Sequence, residues 1–182
     1  MTEHTTEQKA DPATTNRLDW HHARDPEALL ACGFGSGFLR PAPGTWGTVA
    51  ALAIWWWGIA PLEPPLQLLV VIGTFIVGSI ISGRVCRRYG IKDPGAIVID
   101  EFAGLWITLL GFNRDWWVFV LAGFLLFRLF DIWKPGPVRW ADQQLSGGFG
   151  VMADDLVAGC LAALVLQVAF FTFILTDAGL LL

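Results

Sequence analysis

Histidine is missing from the body of this chain: His4, His21 and His22 all fall near its N-terminus. A core built without imidazole offers no histidine nucleophile or base, which removes phosphohistidine-type phosphatases and serine triads from consideration. Cysteine is nearly as sparse. Cys32, Cys86 and Cys160 are far apart and form no CxxC, so neither a disulfide framework nor a zinc site is expected, and all three read as small core residues. A Cys-x5-Arg phosphatase loop fails because Phe38 and Lys92 stand where Cys32 and Cys86 would need arginine. A DxDx[TV] aspartyl-phosphate motif is absent, as is GxxxxGK[ST], and Phe38 takes the place of the third glycine of a GxGxxG fingerprint. If the chain acts on phosphate, carboxylates and a metal must do the work.

Charge is scarce as well. Twelve Lys and Arg against sixteen Asp and Glu give a net charge of -4, of which residues 1–27 supply -3. No basic surface for nucleic acid follows from such a balance, and no nucleic-acid partner is expected. Residues 1–27 are polar and acidic, without the apolar core of a secretory signal, and read as a mobile tail. Apolar residues are what the chain has in excess: 54% of it is hydrophobic, with ten Trp and thirteen Phe against a single Tyr. Its mean hydropathy is +0.55, which indicates a membrane protein.

Charges vanish altogether from 41–62, 64–83, 102–113, 116–127 and 156–176. These runs exceed strand length and are punctuated by Pro and Gly, so they predict about five apolar helical segments in one compact all-α, membrane-associated domain spanning 28–182. The last is the best transmembrane candidate, since about 20 apolar residues cross a hydrocarbon core. Segments three and four are short and could span, re-enter or pack inside the bundle. Basic residues cluster after segment two (Arg84, Arg87, Arg88, Lys92) and after segment four (Arg128, Lys134, Arg139), which places those ends on the cytoplasmic side. The turns "PLEPP" and "GFNRD" then face outward.

Acids gather at that cytoplasmic level. Asp100 and Glu101 are adjacent at the start of segment three; the plain alternative is a wet helix end, but a buried like-charged pair needs a cation. In "FRLFDIWKPGP", Arg128, Asp131 and Lys134 recur every three residues on a helix stopped by Pro135, either as an intrahelical ion pair or as part of a site. "SGGFGVMADDLVAG" reads as a glycine-rich loop entering a helix whose first turn holds Asp154 and Asp155, which the helix dipole alone could favour. Together, Asp100, Glu101, Asp131, Asp154 and Asp155 look like an oxygen-ligand cage for a hard divalent ion such as magnesium. "GFGSGFLRPAPGTWGT" adds flexible backbone, a helix start with Thr45 or Thr48, and Arg40, which suit an anion as well as they suit glycine-mediated helix packing.

Four blocks, "GFGSGFLRPAPGTWGT", "DPGAIVIDEFAGLWITL", "FRLFDIWKPGPVRWAD" and "GGFGVMADDLVAG", lie in order across about residues 30 to 165 and resemble the phosphatidylglycerophosphatase A family of bacterial membrane phosphatases. The resemblance implies hydrolysis of phosphatidylglycerophosphate to phosphatidylglycerol, magnesium dependence and placement at the inner membrane. Asp100, Glu101, Asp131, Asp154 and Asp155 are then expected as metal ligands. Asp100, Glu101, Asp131, Asp155 and Lys134 become the catalytic group. Arg40, Arg128, Lys134 and the Gly44-Thr45 turn are expected to bind phosphate. Two other classes remain open: a small ion-coupled transporter or channel, whose acids would face each other near the midplane, and a non-enzymatic assembly protein whose glycines only pack helices.

Overall fold

The computed structural model describes residues 18–91 and 95–178, and among these there are helices and turns but no strand. Residues 1–17 of the expected tail lie outside the described residues. Its remainder, 18–27, carries a short 3-10 turn at Trp20–Arg24 and the start of α1 (Pro26–Ala31), with Leu18 buried. The chain continues through α2 (Pro43–Ile54), α3 (Pro64–Tyr89), α4 (Ile99–Thr108), α5 (Trp117–Trp133), α6 (Gly136–Gln144) and α7 (Gly147–Asp177).

Pro64–Tyr89, Arg114–Trp133 and Gly147–Asp177 are long and apolar enough to cross a membrane. Their outward faces agree with the composition: Leu66, Leu69, Ile72 and Ile76 on α3, Leu121, Leu125 and Leu129 on α5, and Leu164, Val168 and Phe171 on α7 are all exposed. A helix apolar on every side belongs in lipid or in a core, and these have protein on only one side.

α4 sits inside the bundle. Ten residues reach only about 15 Å, half a hydrocarbon core, so α4 does not cross. It is buried along almost its whole length, between α2 on one flank and α3, α5 and α7 on the others. Trp106 Nε1 donates to Ala51 O of α2 at 2.9 Å. On the opposite flank Gly104 and Gly159 let the α4 and α7 backbones meet: a side chain at Gly104 would lie 2.8 Å from Asp155 O. Thr108 Oγ1 donates to Gly104 O at 2.8 Å and Gly159 O at 3.2 Å, tying the same pair.

A half-length helix leaves a turn of exposed backbone groups that lipid cannot hydrogen-bond. Two glutamines from the long helices serve them. Gln67 of α3 accepts from Gly111 N at 2.8 Å and donates to Phe112 O at 3.3 Å, and Gln167 of α7 donates to Leu110 O at 3.0 Å. These otherwise anomalous polar residues in apolar helices hold the blunt end of α4.

The glycine-rich approach to Asp154 differs from expectation. It is not a loop: α7 begins at Gly147, which puts both acids two turns inside the helix rather than in its first turn. Gly148 packs directly on Ser79 O and Gly83 of α3, so the glycines serve close helix contact.

Candidate active site

The start of α4 and the interior of α7 supply the centre of the site. Val98 caps α4 without a side-chain bond, its N–H donating instead to Ala31 O at 3.0 Å, and Asp100 and Glu101 occupy the first turn, where the helix dipole favours negative charge. Asp100 Oδ1 accepts from Glu101 N at 3.1 Å. Asp155 arrives from α7 because Gly104 admits that backbone at the same level. Carboxylate oxygens of Asp100, Glu101 and Asp155 lie within 4.8 Å of one another.

α5 adds the counter-charge. Arg128 Nη1 donates to Asp131 Oδ2 at 2.5 Å, reaches Thr48 Oγ1 at 3.4 Å and stands 3.9 Å from Glu101 Oε1. Gly44, one turn before Thr48, has no side chain to spare room for: a Cβ there would be 2.5 Å from Glu101 Oε1 and 3.3 Å from both terminal Arg128 nitrogens. Lys134 then leaves the helix in a left-handed conformation, φ 49°, and donates to Asp142 Oδ1 at 2.5 Å and Asp154 Oδ2 at 2.9 Å.

The charges do not balance. Burial, and the neighbouring charge of Asp154, push the Asp100 carboxyl up to about 6 against the hydrogen bonds it accepts. Glu101 is raised well above its ordinary value by burial and then by Asp100, Asp155 and Asp131. Burial works against the charge on Lys134, yet its bonds to Asp142 and Asp154 outweigh that and hold its pKa above the usual lysine value. Glu101 is 8% exposed, and its Oε2 is buried with no hydrogen-bond partner among the described residues. An unpartnered carboxylate oxygen, inside a cluster of like charges on rigid helices, fits a hard divalent cation: the donor set is all oxygen, and a cation supplies the missing charge.

The expected site residues therefore separate into groups. Asp100, Glu101 and Asp155 come together. Asp131 adjoins them, close enough for its charge to act on Glu101, and is held by Arg128. Asp154 turns to Lys134 instead. Gly44 touches the cluster, whereas Thr45 is half-buried and Thr48 is the hydroxyl that meets Arg128. Arg40 is exposed and lines a separate cavity. Asp142 and Gly104 were not singled out by the sequence: Asp142 lies eight residues from Lys134 with no periodicity to join them, and the signal for Gly104 was a small Ala103-Gly104 pair among bulky residues.

Comparison with known proteins is consistent along most of the chain. The family described as Phosphatidylglycerophosphatase A matches residues 29–170. Phosphatidylglycerophosphatase A of Escherichia coli (strain K12) is 43% identical over 139 residues, covering 76% of this chain and 80% of that protein. The protein of the same name from Haemophilus influenzae is 40% identical over 141 residues, 78% of this chain and 86% of its own length. A Bacteroides thetaiotaomicron protein provisionally named as a phosphatidylinositol-3-phosphatase is 40% identical over 148 residues, 78% of this chain and 91% of its own. No solved structure matches.

Proposed function

The chain belongs to the phosphatidylglycerophosphatase A family, and we propose that it is a magnesium-dependent enzyme releasing the terminal phosphate of phosphatidylglycerophosphate, at the cytoplasmic face of the bacterial inner membrane. The observation that carries this reading is the cluster of Asp100, Glu101 and Asp155 at one end of an apolar bundle, with Glu101 Oε2 unpartnered. A lipid phosphatase needs that placement, since acyl chains stay in the bilayer while the headgroup meets polar groups at its boundary. An ion path would instead need acids near the middle of the long helices.

Held by Asp100, Glu101 and Asp155, magnesium would polarise the phosphomonoester and lower the pKa of bound water. The chain's own residues do the rest. Water adds to phosphorus, the bond from phosphorus to the glycerol oxygen breaks, and that oxygen takes up a proton to give phosphatidylglycerol. Arg128, anchored by Asp131 and Thr48, keeps its guanidinium beside the cluster to neutralise phosphate oxygens. Lys134, fixed between Asp142 and Asp154, supplies a second positive charge on the same side. Gly44 lets the start of α2 approach Glu101 and Arg128 more closely than any side chain would allow, a Cβ there standing 2.5 Å from Glu101 Oε1.

Charge asymmetry supports the orientation. Arg84, Arg87, Arg88, Arg128, Lys134 and Arg139 lie towards the acidic end, while Arg114 is beside the opposite turn. Phosphate release by the detergent-solubilised protein tests the function, with phosphatidylglycerophosphate and phosphatidylinositol 3-phosphate as parallel substrates and EDTA followed by magnesium as the switch. Release from the first that stops with EDTA and returns with magnesium is expected. Release only from the second would reassign the substrate, and release unaffected by EDTA would remove the metal.

A further inference from the structure

Beside the acidic cluster lies a cavity of about 260 Å³ whose lining includes Leu18, Asp19, Phe38, Arg40, Pro43 and Ile91. The cavity and the cluster meet at adjacent residues of α2. Pro43 lines the cavity, and Gly44, the next residue, touches Glu101 and Arg128. Resting on the reading of the substrate given above, we propose that this cavity receives the phosphodiester and glycerol of the lipid headgroup, with Arg40 on the phosphodiester, making Arg40 the residue that distinguishes a doubly phosphorylated lipid from one with a single phosphate.

Three observations support it. Arg40 is a basic side chain of the lining and, among the described residues, has no ion-pair partner. It is exposed, and so are Leu39 before it and Trp46 after the turn, at 39% and 44%. A guanidinium between exposed apolar side chains sits at headgroup depth, where a phosphodiester lies and where amphipathic groups collect. Asp19 gives the cavity an acceptor: its described bonds, from His21 N at 3.0 Å and with His22 Nδ1 at 3.0 Å, both use Oδ1, leaving Oδ2 for a hydroxyl.

Two phosphates joined through a three-carbon glycerol are separated by about 7 Å, the span of two residues of extended chain. On this proposal a ligand reaching across Pro43 and Gly44 holds its inner phosphate at Arg40 while its outer phosphate lies at the cluster. Phosphatidic acid, with one phosphate, can satisfy only one of the two places.

Binding of brominated lipids to the full chain in detergent, read by tryptophan quenching, tests this without requiring turnover. The parent protein is expected to bind brominated phosphatidylglycerol at least about tenfold more tightly than brominated diacylglycerol, because a charge-assisted bond to the phosphodiester is available only to the first. Arg40→Gln should abolish the preference and Arg40→Lys should restore part of it. In turnover of phosphatidylglycerophosphate the loss in Arg40→Gln should fall on KM rather than kcat. Absence of any preference in the parent, or a preference that survives in Arg40→Gln, overturns the proposal. Failure of the parent to release phosphate would overturn the assigned activity and leave the binding result to decide the cavity.

Discussion

Two charged regions lie towards the same end of this molecule and are built on opposite principles. The first fastens the N-terminal segment to α3: Arg84 Nη1 meets Glu27 Oε1 at 2.9 Å, Arg88 binds both Asp25 and Glu27, and Tyr89 donates to Asp25 at 2.8 Å. Both acids have cationic partners and the arginines are exposed. The second is the Asp100, Glu101 and Asp155 cluster, with Glu101 and Asp155 buried and Asp100 half-buried, in excess over Arg128. Their carboxyls respond in opposite directions. Desolvation opposes ionisation of Asp25, but hydrogen bonds from Tyr89 and Arg88 outweigh it and hold its carboxyl below the usual range, whereas burial lifts Asp100 to about 6. The paired, solvated acids need nothing more. Among the described residues the buried ones outnumber the cations beside them, an excess that a proton or a bound cation would offset.

The contrast can be broken most forcefully at Glu101. Glu101→Gln keeps shape and removes charge, and should reduce phosphate release on the order of 10²-fold or more; a near-parental rate would place the cluster outside the chemistry. Acidification sharpens the same point. The folded value for Asp100, about 6, exceeds its unfolded value near 3.8, so protonation stabilises the cation-free fold and that contribution is lost as pH rises through about 6. Magnesium competes with the proton, so its apparent affinity should fall by up to about tenfold for each pH unit below 6. EDTA-treated protein should melt at a lower temperature at neutral pH than near pH 5, and magnesium should reverse that order. Affinity independent of pH would contradict the shared site.

Smaller effects follow away from the carboxylates. Gly44→Ala puts a methyl 2.5 Å from Glu101 Oε1 and should cost about tenfold in turnover, with overall helicity by circular dichroism unchanged. In the other region, Arg88→Ala removes two exposed ion pairs and should leave turnover within about twofold of the parent, because exposed pairs contribute little. A large loss of activity from Arg88→Ala would mean that the clamp, too, belongs to the site.

Much of this was legible in the sequence because lipid imposes strong rules. Charge-free runs marked the long helices, and adjacent acids at 100–101 and 154–155 marked the polar level of the bundle. The helix in the middle was harder to foresee. α4 is too short to span, and the feature that reveals it, Gln67 and Gln167 serving the 109–113 turn, depends on contacts 44 and 57 residues apart. The separation of Asp154 from Asp155 was hidden for a related reason. Adjacent residues on a helix point about 100° apart, so one faces α4 and the other Lys134, and only the packing of α7 decides which. The glycines misled through chemistry: a residue that favours a loop in water equally favours close helix contact in a membrane.

Magnesium titration of EDTA-treated protein, with binding and phosphate release followed together in the parent and in Asp155→Asn, tests the central claim most directly. The account predicts that binding and turnover rise along one curve in the parent and are both lost in Asp155→Asn, while the variant retains its helical content. Full turnover in EDTA, or an Asp155→Asn protein that binds magnesium and releases phosphate as the parent does, would contradict it.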